Sequence, residues 1–221
     1  MRDIYCISGL GADHRIFSRL DIPGVNLLPV PWLKPERLES MGSYAARMKA
    51  GIVAENPIIL GVSFGGMMAL EMAKLYTSPT VIIVSSVRDY YQLPYWMRVS
   101  GKLRLNQLGL NRLRSMIRPW RLSLPERYFM GVESGEDAAL IRAFKAATDP
   151  RYLKWAVNRI LNWKNEWQPA AFYHLHGSKD RIFPLRRVQP THIVPEAGHL
   201  MIHNRAEAVS AIISGICAKI G

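Results

Sequence analysis

The sequence Pro57-Ile58-Ile59-Leu60-Gly61-Val62-Ser63-Phe64-Gly65-Gly66 joins an apolar run to the pattern Gly-x-Ser-x-Gly. The apolar run predicts a buried strand, and the residues that follow it, 67–75, predict a helix. The pattern between them is typical of a sharp turn that holds a strained serine at its apex. Glycines suit this turn because the residues two before and two after the serine crowd each other. An ordinary glycine-rich turn is the alternative, so Ser63 is a candidate nucleophile that needs partners.

A serine hydroxyl requires a general base, and the base requires an orienting acid. His199 follows the short apolar run 191–195 and lies in a loop that contains Gly198. Asp180 follows the predicted strand 171–177 in a loop of the same kind. Functional groups gather on loops at strand ends in open α/β sheets, so Ser63, Asp180 and His199 are the predicted catalytic set.

Other residues compete for these roles. Asp89 also follows a predicted strand and is a rival acid, whereas His203 falls inside the predicted last helix and is a weaker base. His174 and His176 alternate along one strand, which indicates a structural role. Asp180 alone is also consistent with a surface ion pair or a helix cap. The three candidates are therefore persuasive as a set rather than singly.

An acyl-transfer site also needs two backbone N–H groups to hold a developing oxyanion. Phe64, directly after the candidate nucleophile, supplies one of them. The loop Ser8-Gly9-Leu10-Gly11 after the first predicted strand can supply the other, from Leu10. An ordinary strand–helix turn capped by Asp13 is compatible with this interpretation.

These motifs resemble those of the α/β-hydrolase superfamily, in particular its small bacterial carboxylesterase-like members. The resemblance covers about two-thirds of the chain, and it rests on the residues 61–66, 177–180, 197–199 and 8–11. It implies a mainly parallel sheet of about six strands, N-terminally trimmed, with helices on both faces and a helical cap. Ser8 departs from the family pattern, which has histidine there. Ser63 argues against the family members that use an aspartate nucleophile.

The expected strands lie near 3–8, 26–30, 57–62, 80–86, 171–177 and 191–195. The resemblance places the hydrolase core in residues 1–87 and 166–221, and the cap in residues 88–165. The middle segment is helical in pattern and rich in aromatic residues, and four prolines divide it. Its aromatic and leucine side chains either line an acyl pocket or form the cap's own core.

Composition limits the remaining classes of function. The length of 221 residues and a hydrophobic content of 49% suit one catalytic domain with an insertion. Two cysteines give no disulfide framework, and no group of residues has metal-ligand spacing. The sequence contains no recognisable signal peptide and no apolar run long enough to span a membrane. We therefore expect a cytoplasmic enzyme that uses no cofactor and no metal.

The net charge of +12 is concentrated in the middle segment. Residues 88–165 carry 15 Lys and Arg against six Asp and Glu, and residues 98–121 carry seven basic residues and no acidic one. Three interpretations stay open: a solvated face, a docking face for an acidic carrier protein or an anionic substrate, and a basic helix on an anionic membrane. Nucleic-acid binding is disfavoured because no recognition motif accompanies the charge.

The sequence thus predicts a serine hydrolase that cleaves a carboxylic ester through an acyl-enzyme, a carboxylesterase-like activity of class EC 3.1.1. Its substrate would be a small acyl compound. Two alternatives remain, a thioesterase that acts on acyl-coenzyme A or acyl-carrier substrates, and a non-catalytic fold that only binds a ligand.

Overall fold

A six-stranded sheet forms the centre of the molecule, in a computed structural model that describes residues 1–102 and 122–220. The strands are β1 (Arg2–Ile7), β2 (Val25–Pro29), β3 (Ile58–Val62), β4 (Thr80–Val84), β5 (Ala171–Gly177) and β6 (His192–Val194). The sequence placed each of them to within about two residues, because a strand buried on both faces is a continuous apolar run. β3 and β4 are buried at every position.

The strands follow the order β2-β1-β3-β4-β5-β6, and every neighbouring pair is parallel. In such a sheet the carboxyl ends of all strands meet at one edge, where ligands usually bind. The loops after β1, β3, β5 and β6 therefore share this edge. They are the loops that carry Leu10, Ser63, Asp180 and His199.

Eight α-helices accompany the sheet in the described residues. They are α1 (Met41–Met48), α2 (Phe64–Ala73), α3 (Tyr95–Lys102), α4 (Leu124–Met130), α5 (Gly135–Ala147), α6 (Pro150–Asn162), α7 (Met201–Asn204) and α8 (Ala206–Ile220).

Alternate residues of β1 to β5 point into two separate apolar cores. Tyr5 and Ile7 of β1 face a core that includes α1 and α2, whereas Ile4 and Cys6 face a core that includes α7 and α8. The helices therefore cover both faces of the sheet. Together with the parallel order, this confirms the predicted α/β-hydrolase fold.

The segment between β4 and β5 contributes α3 to α6. Two of its tryptophans anchor it to the core: the indole of Trp155 donates to the Glu39 carbonyl at 2.8 Å, and that of Trp163 donates to the Glu71 carboxylate at 2.8 Å. Both tryptophans are buried, so they belong to the core rather than to an open pocket.

The basic residues of 98–121 fall mostly outside the part of the chain that the structure describes. Five of the seven lie there, namely Arg104, Arg112, Arg114, Arg118 and Arg121. No helix within 1–102 and 122–220 is both long and apolar enough to cross a membrane.

Candidate active site

Ser63 occupies the single residue between β3 and α2 and has a strained backbone, with φ of 53° and ψ of −118°. A non-glycine residue rarely adopts positive φ, so the surrounding structure must hold it there. The Ser86 hydroxyl contributes by donating to the Ser63 carbonyl at 2.7 Å. The turn is the one that the sequence predicted.

Close backbone contacts explain why glycines flank the serine. A Cβ atom at Gly65 would lie 2.2 Å from the Ile7 carbonyl oxygen, and one at Gly61 would lie 2.3 Å from the Gly65 carbonyl oxygen. Backbone atoms cannot move aside as a flexible side chain can. β1, β3 and the start of α2 can therefore approach each other this closely only because these positions have no side chain.

This packing makes Gly65→Ala a test of the turn at Ser63. We expect the substitution to lower the free energy of unfolding by about 3 kcal/mol, because the new methyl group overlaps backbone oxygens. The matched control is Gly215→Ala, in the middle of α8, where an added Cβ meets no atom within 4 Å. That control should stabilise the protein by about 0.5–1 kcal/mol. Urea denaturation of both variants measures the difference, and equal midpoints would contradict the packing argument.

His199 bridges the serine and the acid. Its Nδ1 lies 2.8 Å from Asp180 Oδ2, and its Nε2 lies 3.0 Å from Ser63 Oγ. A carboxylate only accepts hydrogen bonds, so Nδ1–H donates to Asp180, and Nε2 is left to accept from the Ser63 hydroxyl. The ring of Phe183 packs edge-on against the imidazole, with centroids 5.6 Å apart. The imidazole is thus held in the tautomer that a general base needs.

Asp180 is 4% exposed, and its other oxygen is also fixed. Oδ1 accepts the backbone N–H groups of Ile182 and Phe183, each at 2.9 Å. Burial alone would raise the pKa of the carboxyl, but the neighbouring His199 and these hydrogen bonds outweigh it and hold the pKa below its usual value. Asp180 is therefore an anion directed at His199.

The loop after β1 closes over the serine. A Cβ at Gly9 would lie 3.5 Å from the Ser63 Cβ, and a tight turn is formed by the Ala12 N–H donating to the Gly9 carbonyl. Leu10 lies inside this turn, with its side chain packed on the core. Phe64 begins α2, so its N–H belongs to the first turn, where no intrahelical acceptor exists.

Ser8, which stands where the family pattern has histidine, both donates and accepts a hydrogen bond. Its hydroxyl donates to the Ala12 carbonyl at 2.7 Å and accepts the indole N–H of Trp32 at 2.9 Å. Trp32 in turn stacks on Phe64, with ring centroids 5.0 Å apart. Nothing in the local sequence marked Trp32 as part of the site, because its partners are distant in the chain.

The rival residues are engaged elsewhere. Asp89 accepts the N–H groups of Tyr91 and Gln92 and caps a short turn. His203 pairs with Asp137, with Nδ1 and Oδ1 2.9 Å apart, and both side chains are buried. Neither residue forms part of the Ser63–His199–Asp180 chain.

The segment between β4 and β5 touches two of the site's loops. The Leu200 N–H donates to the Met130 carbonyl at 3.1 Å beside the His199 loop. The Thr148 hydroxyl donates to Phe144 and lies 3.2 Å from the Gly11 carbonyl in the loop after β1. Sequence alone could not assign these contacts, since each joins residues far apart in the chain.

Comparison with known proteins agrees with the fold. A model of the alpha/beta hydrolase family matches residues 4–212. Among solved structures, an esterase from Thermogutta terrifontis superposes with a TM-score of 0.66 at 15% identity, covering 100% of this chain and 90% of that one. A bromoperoxidase from Bacillus anthracis superposes with a TM-score of 0.70 at 12% identity and coverages of 98% and 92%.

A third similar structure is the N-acyl homoserine lactonase AidH, with a TM-score of 0.63, 16% identity and coverages of 98% and 89%. No curated protein sequence matches this chain at a significant level. At these identities the solved structures establish the fold alone. The family model, however, spans most of the chain, and this protein is a member of the alpha/beta hydrolase family.

Proposed function

We propose that this protein is a serine esterase that hydrolyses a carboxylic ester through an acyl-enzyme. The observation that carries the proposal is the hydrogen-bonded chain from Ser63 Oγ through His199 to Asp180, with links of 3.0 and 2.8 Å. Both links are within the range expected for a nucleophile, its base and the base's orienting group. Membership of a hydrolase family supports the same class of reaction.

The first half of the proposed reaction forms the acyl-enzyme. His199 Nε2 takes the proton of Ser63 as Oγ attacks the ester carbonyl, and Asp180 stabilises the resulting imidazolium. The N–H groups of Leu10 and Phe64 hold the oxyanion. His199 then gives its proton to the departing alcohol, and the acyl group stays on Ser63.

The second half returns the enzyme to its starting state. His199 takes a proton from a water molecule, and the hydroxide attacks the acyl carbonyl. The tetrahedral intermediate collapses, releases the carboxylic acid, and Ser63 recovers its proton from His199. Every step uses side chains and backbone of this chain, so the proposed reaction needs no cofactor.

We propose that residues 88–165 form a helical cap, which the substrate passes on its way to the site. The core beneath the cap is formed by residues 1–87 and 166–221. Its contacts with the loops of Leu10 and His199 support this division. A cap that touches both loops would shape the space available to the acyl group.

The test is hydrolysis of a series of p-nitrophenyl esters, from acetate to long chains, together with labelling by a serine-directed phosphonate. We expect turnover with an optimum chain length, and one phosphonate on Ser63 detected by peptide mass spectrometry. Folded protein that neither hydrolyses any ester nor takes up the phosphonate would overturn the proposal and favour a fold that only binds a ligand.

A groove on the cap favours a second candidate, hydrolysis of thioesters on an anionic carrier such as coenzyme A. The groove has a volume of about 620 Å³ and lies between α3 and the end of α6. It combines three tyrosines and three basic residues with one acidic residue. The residues are Tyr90, Tyr91, Tyr95, Arg98, Lys102, Lys164 and Glu166. Such a surface suits a ligand that has both phosphates and a planar base.

Charge reversal in the groove separates the two candidates. In the double variant Lys102→Glu, Lys164→Glu we expect the KM for an acyl-coenzyme A to rise on the order of tenfold, since two exposed attractions become repulsions. The KM for the p-nitrophenyl ester of the same acyl chain should not change. Lys154→Glu with Lys219→Glu is the control that makes the same change in net charge, because both side chains are exposed and neither lines the groove. A KM for acyl-coenzyme A that rises equally in both double variants would exclude a specific role for the groove.

A further inference from the structure

Two histidines on β5, joined by a hydrogen bond, lie behind Asp180. The side chains of His174 and His176 are fully buried. His174 Nε2 lies 3.2 Å from His176 Nδ1, and His176 Nε2 lies 2.7 Å from the Phe183 carbonyl oxygen. The same His176 Nε2 is 3.7 Å from Asp180 Oδ2. A second polar pair therefore lies in the core behind the acid, and the Phe183 backbone connects it to Asp180.

The carbonyl of Phe183 fixes the protons of both rings. A carbonyl oxygen only accepts, so His176 carries its proton on Nε2 and donates it to Phe183. Its Nδ1 is then an acceptor, and it takes the Nε2 proton of His174. This assignment satisfies His176 completely with both rings neutral.

Burial keeps the two rings neutral. It lowers the pKa of His176 below its usual value, against the opposing pull of Asp180, and it lowers the pKa of His174 to about 3. The titratable or charged groups that face the pair are Asp180, His199 and, for His174, Arg88. Because neither β5 histidine is cationic at neutral pH, the charge of Asp180 is left for His199.

His176 acts on the acid through the loop that carries it. The Phe183 residue that accepts from His176 also donates its own N–H to Asp180 Oδ1. The hydrogen bond from His176 to the Phe183 carbonyl therefore holds in place the residue whose N–H orients the Asp180 carboxylate. The tilt of that carboxylate decides whether Oδ2 meets His199 at 2.8 Å.

We propose that His176 is a positioning residue that clamps the Phe183 carbonyl and so aims the Asp180 carboxylate at His199. The proposal deepens the proposed esterase function and rests on it for its kinetic effects. It assigns a role in the reaction to a strand residue whose sequence pattern indicates only structure.

The test compares three substitutions of His176 with the wild type. In His176→Phe, which keeps an apolar ring but loses the donor, we expect kcat for a p-nitrophenyl ester to fall on the order of 100-fold with KM unchanged. His176→Gln can place an amide N–H near the Nε2 position and should retain kcat to within about fivefold. His176→Asn, whose amide stops nearer Nδ1, should behave as the Phe variant and replaces it should that variant not fold.

His174→Phe is the matched control, because it changes a buried histidine on the same face of β5 but leaves the contact with Phe183. It should lower kcat by no more than about threefold. Equal losses in His174→Phe and His176→Phe, or full kcat in His176→Phe, would overturn the proposal.

A measurement without substrate separates this proposal from the esterase function. The proton between His199 Nδ1 and Asp180 should give a far-downfield ¹H NMR resonance in the wild type and in His176→Gln. That resonance should move upfield or disappear in His176→Phe. Such a pattern in a protein that hydrolyses no ester would support the positioning role and reject the esterase. Ester hydrolysis with an unchanged resonance in His176→Phe would do the reverse.

Discussion

Replacing Ser63 by Ala should lower kcat/KM for the best p-nitrophenyl ester on the order of 10⁵-fold, while the protein stays folded. The substitution removes the nucleophilic hydroxyl and adds no bulk to the turn at residue 63. His199 and Asp180 would still be paired, but without an attacking oxygen their chain has nothing to activate. The residual rate would come from binding and from the oxyanion donors alone.

A matched control is available in Ser78→Ala, a serine-to-alanine change at an exposed position outside the site. The control should keep full turnover and should be labelled by the phosphonate, whereas Ser63→Ala should show neither. The experiment compares initial rates, intact-mass labelling and thermal melting for the three proteins. Turnover within tenfold of the wild type in folded Ser63→Ala would mean that another group is the nucleophile.

The sequence was sufficient for the strands and for the turn at Ser63, and the reason is local. Each strand of a sheet covered on both faces is an apolar run, and glycines mark the turns between runs. The turn at Ser63 also carries its own steric signature, since Gly61 and Gly65 have no room for a Cβ. The strand order could not be derived this way, because it depends on which distant strands pair.

Ser63 meets two residues that follow it by more than a hundred positions, and the reason is topological. Ser63, Asp180 and His199 each follow a strand of one parallel sheet, so their loops share an edge. Asp89 satisfies the same rule, which is why sequence alone left it as a rival. What distinguishes the two acids is loop geometry: Asp89 turns back to cap its own backbone, and Asp180 turns towards His199.

The supporting contacts had no sequence signal. Trp32 holds Ser8, and Asp137 holds His203, across 24 and 66 positions. The sequence showed that Ser8 replaces the histidine of the family pattern. It could not show that the Ser8 hydroxyl is bonded by Trp32, because that contact depends on the fold. A pairwise contact between distant residues leaves no periodicity and no spacing in either partner, so only the folded structure reveals it.

The buried His174 of β5 should lower the free energy of unfolding in mild acid. His174 has a pKa of about 3 in the folded protein, against about 6.5 for an unperturbed histidine. Above pH 6.5 the ring is neutral in both the folded and the unfolded chain, so its burial carries no charge penalty. As the pH falls from 6.5 towards 3, only the unfolded chain takes up the proton, and the free energy of unfolding falls. A difference of this size is worth about 5 kcal/mol, or about 1.4 kcal/mol per pH unit within that window.

We therefore expect the free energy of unfolding to fall steeply between pH 6.5 and 4.5, and to fall less steeply in His174→Phe. Urea denaturation at half-unit steps of pH measures both slopes. His14→Asn is the control, because His14 is exposed and its replacement should leave the slope of the wild type. Parallel curves for the wild type and His174→Phe would show that His174 is not held neutral by burial. A flatter curve in His174→Phe would mean that burial in the core behind Asp180 keeps His174 neutral, as the assigned tautomers require.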